Sequence, residues 1–137
     1  MKKKTNLTIP ELFQQKGEIY FRKIEHTVFK EVLDRDDSFI LSTGGGTPCY
    51  ADNHLLLQNE NVVSFYLKTS IKTINSRVEK NPNKRPLLVN KSREELVDFI
   101  SKQLFERSYY YHHANHTIQT DNKSVIQIVD EIKMLLY

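Results

Sequence analysis

Three of the chain's four glycines stand side by side at Gly44, Gly45 and Gly46, directly after the run Phe39, Ile40, Leu41, Ser42 and Thr43. A glycine lets backbone approach another surface, at a cost of about 0.5 to 1 kcal/mol in regular structure. A triplet at the end of an apolar run is therefore a place where something lies against bare backbone, its N–H groups free to donate to an anion or hydroxyl. A tight turn without ligand is the competing reading. Charged residues of the right type accompany it. Arg22 and Glu25 are three apart on a helical stretch and can pair. Arg85 lies between Pro82 and Pro86 in a polar, basic stretch without periodicity, a composition found in lids over phosphates and also in plain exposed linkers. Arg107 comes near the end of a long helical pattern, just before Tyr109, Tyr110 and Tyr111.

Composition narrows the classes of partner. At 137 residues the chain reads as one domain over 1–137, and 39% apolar with 27% charged residues describes a folded chain rather than a disordered one. The net charge of +3 is mild and, apart from Lys2, Lys3 and Lys4, spread along the sequence, so a nucleic-acid footprint is disfavoured. Cys49 is the only cysteine, which excludes an intrachain disulfide and fits a reducing compartment. No secretory signal is recognisable after the amino-terminal lysines, and the apolar run at 62–67 is far shorter than the roughly 20 residues a membrane span requires. A cytoplasmic protein is expected. Asp34, Asp36 and Asp37 form a polar turn leading into residues 39–42, on the sheet edge opposite the glycines, and His112, His113 and His116 lack acidic or thiol partners at ligand spacing. Neither group reads as a metal site.

The elements that must position these residues follow from caps and periods. Thr8 and Glu11 have capping-box spacing and open a short helix to about Gly17. From Glu18, the recurrence of Phe21, Ile24, Val28 and Val32 predicts a second helix to about Leu33. Strands are predicted at 39–42, 62–67 and 117–120. Between them, Asp52 or Asn53 can cap a short helix to Leu57, and Thr69 or Ser70 a helix with Ile71, Ile74 and Val78 inward. A lid loop is predicted around 81–92. Ser92 and Glu95 begin a longer helix with Leu96, Phe99, Ile100 and Leu104 inward, and Ser124 a closing helix whose apolar face is Val125, Ile128, Val129, Ile132, Leu135 and Leu136. This alternation predicts an α/β fold with a parallel sheet covered by helices on both faces.

The segments Phe21-Arg22-Lys23-Ile24-Glu25, Ser42-Thr43-Gly44-Gly45-Gly46, Arg85-Pro86-Leu87-Leu88 and Glu106-Arg107-Ser108-Tyr109-Tyr110-Tyr111, in this order and spacing, resemble shikimate kinase. The likeness runs from about Leu7 to the carboxyl terminus. It implies a P-loop kinase fold and transfer of the ATP γ-phosphoryl group to the shikimate 3-hydroxyl, with Mg2+, on the route to chorismate and the aromatic amino acids. A guanidinium fork suits a carboxylate. By resemblance, Arg22 and Arg107 bind that of shikimate, converging beside the glycines, while Glu25 orients Arg22 and Gly44, Gly45 and Gly46 approach the ring. Arg85 is implied as the catalytic lid arginine on the ATP phosphates, Ser42 as a holder of a magnesium-bound water, and Lys123 as a residue near adenine. A monomer is implied.

Two elements of that family's pattern do not occur in these 137 residues: the Gly-x-x-x-x-Gly-Lys-Ser/Thr phosphate loop and the Asp-x-Asp segment expected ahead of Thr8. The expectation is a three-layer sandwich lacking the first two strands and the P-loop helix, as if the sequence began within a family member. Such a chain is expected to be inactive as a kinase and marginally folded, or to close the gap by direct strand pairing. A non-catalytic module that binds shikimate or another anion is one alternative, and another small-molecule kinase, such as a gluconate kinase, is a second.

Overall fold

The computed structural model of the chain describes residues 1–81 and 91–137. These fall into two compact units, Met1–His54 and Leu55–Tyr137.

The first unit is built on one long helix. After a single turn, α1 (Lys2–Thr5), α2 runs over Ile9–Leu33, and Thr8 closes the capping box with Glu11 as its sequence spacing requires. The two helices expected on either side of Gly17 form one element with a kink there, at φ 83° and ψ 170°. Only glycine enters that region of backbone space without steric cost. The Phe13 and Phe21 rings meet across the kink at 4.4 Å. Leu12, Phe21 and Phe29 are the buried apolar residues of α2. A 3-10 turn at Thr47–Cys49 packs against this helix, and α3 (Asn53–Leu56) follows.

Residues 39–42 depart from the expected strand. They carry no ladder, Ile40 is fully exposed, and Phe39 and Leu41 also face solvent. Among the described residues the segment has no neighbouring strand to satisfy its N–H and C=O groups, and extended backbone becomes a strand only through such pairing.

The second unit holds a parallel two-stranded sheet, β1 (Phe65–Lys68) beside β2 (His116–Gln119), with Phe65 opposite His116 and Lys68 opposite Gln119. Both strands sit within a few residues of their expected places. Helix α4 (Ile71–Lys80) is capped by Ser70 and packs against α5 (Arg93–Tyr111), which opens on the Ser92 and Glu95 capping box. Leu96, Ile100 and Ile118 form the buried apolar core of this unit. On α4 the inward face differs from expectation: Asn75 is its buried residue, while Ile71 is exposed.

Helix α6 (Val125–Leu136) starts at Ser124 as predicted, yet none of its residues is buried. Val125, Val129, Leu135 and Leu136, expected to close the core, are exposed. The apolar period builds the helix, but among the described residues that face is only partly covered, with Ile128 and Ile132 half-buried.

Candidate functional site

Arg22 and Glu25 lie one turn apart on α2, and helical spacing brings their side chains together: Arg22 Nη1 donates to Glu25 Oε1 at 2.7 Å. Both side chains are only 14% exposed, so this is no solvated surface pair. Glu18, one turn earlier, brings Oε1 to 4.0 Å from Arg22 Nε, and the Phe21 ring centroid lies 5.1 Å from Arg22 Cζ.

The glycine turn meets this guanidinium directly. A Cβ built on Gly46 would fall 2.6 Å from Cζ and 2.8 Å from Nη1 of Arg22. A side chain at Gly46 could enter only by displacing the Arg22 guanidinium, and since Gly46 has φ −88° its backbone angle is open to any residue. At Gly44 a Cβ would meet Thr47 Oγ1 at 3.3 Å and Glu25 Oε2 at 3.6 Å. The turn is closed by the Thr47 and Cys49 N–H groups, which donate to the carbonyls of Gly44 and Gly46 at 3.1 Å each. Gly44 and Gly45 are exposed and Gly46 is buried. The structure therefore unites Arg22, Glu25, Gly44 and Gly46 in one cluster. A guanidinium has five donors, of which the Glu25 contact uses one. Those remaining suit a planar oxyanion.

The other expected site residues are described each in its own unit. Ser42 is exposed in the unpaired segment and makes no described side-chain contact. Arg107, in the second unit, is half-buried near the end of α5 and has no carboxylate partner among the described residues. Lys123 follows Asn122, which takes the left-handed conformation at φ 60°, and its ammonium is paired with Glu131 of α6 at 2.6 Å. Arg85 and most of the expected lid lie outside the described residues. His112 and His113 donate through Nδ1 at the end of α5 to the carbonyls of Ser108 (2.8 Å) and Tyr109 (2.7 Å), and the His116 ring stacks on Phe65. Among the described residues no group of three metal-ligating side chains gathers, and no helix is long and apolar enough to cross a membrane.

Sequence reasoning missed Asn53 and His26. Asn53 was a candidate cap; instead its side chain, completely buried, spans from Thr47 O (2.9 Å) to His26 Nδ1 (2.6 Å). The position of His26 directly after Glu25 was the available signal. It also missed Asp121, after β2, which accepts from Thr73 Oγ1 (2.7 Å) and from the N–H and hydroxyl of Ser70 (3.0 Å each), tying the strand end to the start of α4. The Thr73 hydroxyl and then the Ser70 donors hold the Asp121 carboxyl below its ordinary range against a smaller opposing effect of burial.

Comparison with known proteins identifies the family and the fold. The family model for shikimate kinase matches residues 1–136. The chain is 50% identical over 136 residues to the shikimate kinase of Flavobacterium johnsoniae, covering 99% of this chain and 79% of that protein. It is 52% identical over 130 residues to that of Flavobacterium psychrophilum, covering 95% of this chain and 76% of the relative. Among solved structures, the shikimate kinase from Bacteroides thetaiotaomicron superposes with a TM-score of 0.84 at 29% identity, over 98% of this chain and 76% of that one. The shikimate kinase from Acinetobacter baumannii in complex with shikimate gives 0.81 at 29% identity, over 98% and 73%. The fold is thus the P-loop kinase fold of these neighbours, α/β with a parallel sheet.

Proposed function

The chain belongs to the shikimate kinase family, and from that premise we propose that it recognises the carboxylate of shikimate through Arg22. The observation that carries this is the guanidinium seated on the Gly46 backbone, where a Cβ would collide with it. Glu25 holds one edge of the fork, leaving the other donors for the ligand. The exposed backbone at Gly44 and Gly45 suits close approach of the hydroxylated ring. Arg107 is proposed as a further substrate-binding guanidinium, as the family resemblance implies, a role consistent with a half-buried cation that has no acidic partner among the described residues. That a neighbour was solved with shikimate bound supports the choice of ligand.

The family reaction, transfer of a phosphoryl group from ATP to the shikimate 3-hydroxyl with Mg2+, is proposed for the complete catalytic assembly, acting as a cytoplasmic monomer. Arg85 would there offset charge on the transferring group. Ser42 is exposed without contacts, Lys123 is neutralised by Glu131, and the phosphate-loop pattern does not occur in the sequence. We infer that these 137 residues alone bind shikimate without turning it over.

Calorimetric titration with shikimate, with and without Mg-ATP, tests this reading. The expected result is saturable binding that weakens at least about tenfold in Arg22→Ala and in Arg107→Ala, since a hydrogen bond to a charged group contributes about 1.5 to 3 kcal/mol. No ADP should form. Absence of binding, or unchanged affinity in both variants, overturns the carboxylate assignment; magnesium-dependent phosphorylation overturns the binding-only reading.

A further inference from the structure

We propose that Asn53, acting through His26, is a positioning residue that locks α2 against the glycine turn in the register that seats Arg22 on Gly46. This deepens the shikimate reading and rests on it for the ligand. The Asn53 side chain is 0% exposed, and both ends of its amide are used. Its Nδ2 donates to Thr47 O at 2.9 Å, which fixes the amide so that Oδ1 faces His26 Nδ1 at 2.6 Å. An amide oxygen only accepts, so His26 carries its proton on Nδ1 and donates. The Asn53 N–H closes the same knot by donating to Tyr50 O at 2.9 Å, and the Tyr50 ring lies edge-on to His26, centroids 6.1 Å apart.

The placement of these partners gives the knot its consequence. His26 follows Glu25 and sits one helical turn beyond Arg22, while Thr47 follows Gly46. One buried amide therefore grips both partners of the close approach, each a single residue or turn away. With Arg22 Cζ only 2.6 Å from where a Gly46 Cβ would stand, a slip of α2 would displace the guanidinium from the turn. Backbone geometry supplies an independent sign of a held segment. Ala51 and Asp52, immediately before Asn53, both occupy left-handed conformations, at φ 48° and 60°. Side-chain-bearing residues keep such angles where the surroundings over-determine them.

The test is arginine side-chain nitrogen NMR of the full chain during shikimate titration, with far-UV circular dichroism to verify folding. His26→Phe keeps an aromatic ring and removes the donor to Asn53; Asn53→Asp keeps the acceptor for His26 and loses the donor to Thr47; His26→Gln restores an N–H donor. In the first two variants the Arg22 Nε–H resonance should shift and broaden, and shikimate affinity should fall about tenfold, with substantial recovery in His26→Gln. Placed on Arg22→Lys, His26→Phe should cost almost nothing more, because a positioning effect is lost with its target. An unmoved Arg22 resonance in folded His26→Phe and Asn53→Asp, or losses that add fully to Arg22→Lys, overturns the proposal. A wild-type chain that ignores shikimate but whose Arg22 resonance responds to these variants overturns the ligand assignment and leaves the clamp supported.

Discussion

Phe39, Ile40 and Leu41 in the first unit and Phe65, Tyr66 and Leu67 in the second are short apolar runs of similar β propensity, and only the second is a strand. The difference lies in what stands beside them. β1 has β2 as a parallel neighbour, and the ladder continues past its ends, with His116 N–H donating to Ser64 O at 3.1 Å and Thr120 N–H to Lys68 O at 2.9 Å. Residues 39–42 have no such neighbour among the described residues; Ile40 is fully exposed, and the Phe39 ring lies 4.9 Å from Arg35 Cζ. Strand propensity measures how well a side chain fits a half-buried pleated surface, and without that surface it stabilises nothing.

The largest effect should separate these two runs. Ile118, on β2 opposite Leu67, is 2% exposed, and Ile118→Ala should cost about 2 to 5 kcal/mol, as truncating a buried isoleucine does. Ile40→Ala removes the same atoms from a fully exposed position and should stay within about 0.5 kcal/mol. Urea unfolding followed by far-UV circular dichroism measures both, the chain having no tryptophan. Comparable losses at the two positions would mean that residues 39–42 are covered in solution and would erase the contrast.

A smaller effect carries the same contrast to the helices. Ser92 and Ser124 close matching capping boxes, and each should contribute about 0.5 to 2 kcal/mol to its own helix. On α5, which buries Leu96 and Ile100, Ser92→Ala should lower the unfolding midpoint of the second unit. On α6, which buries nothing, Ser124→Ala should leave that midpoint in place and accelerate amide exchange at the first turn of the helix. A midpoint shift in Ser124→Ala equal to that of Ser92→Ala would show that α6 unfolds with the core.

What could be read from the sequence follows the range of the forces involved. The caps at Thr8, Ser70, Ser92 and Ser124 are local, three residues across, and each appears where its spacing requires. The pairing of Arg22 with Glu25 is likewise one helical turn. The fate of residues 39–42 and the exposure of the α6 face depend on neighbours, which no local pattern specifies. At the site, residue types revealed the glycines and arginines, but the burial of Asn53 between Thr47 and His26 bridges 27 positions of sequence. A polar residue in a turn looks alike whether it faces water or forms the centre of a knot.

The finest test concerns two carboxylates, one in each unit. The Arg35 hydrogen bond holds Asp37 below its ordinary range, and the Thr73 and Ser70 donors do so for Asp121. A carboxyl whose folded value is depressed contributes stability above its unfolded value, near 3.9, and loses that contribution as pH falls through the lower folded value. Arg35 and Asp37 are two residues apart and exposed, so much of their attraction persists in the unfolded chain and cancels. The donors to Asp121 lie 48 and 51 residues away and are assembled only by folding. Asp121→Asn should therefore flatten the acid limb of the second unit's stability profile below about pH 4, whereas Asp37→Asn should leave the first unit's profile almost unchanged. Unfolding midpoints from pH 2 to pH 6 decide between them, and an equal flattening in both variants would show that closeness along the chain does not separate the two pairs.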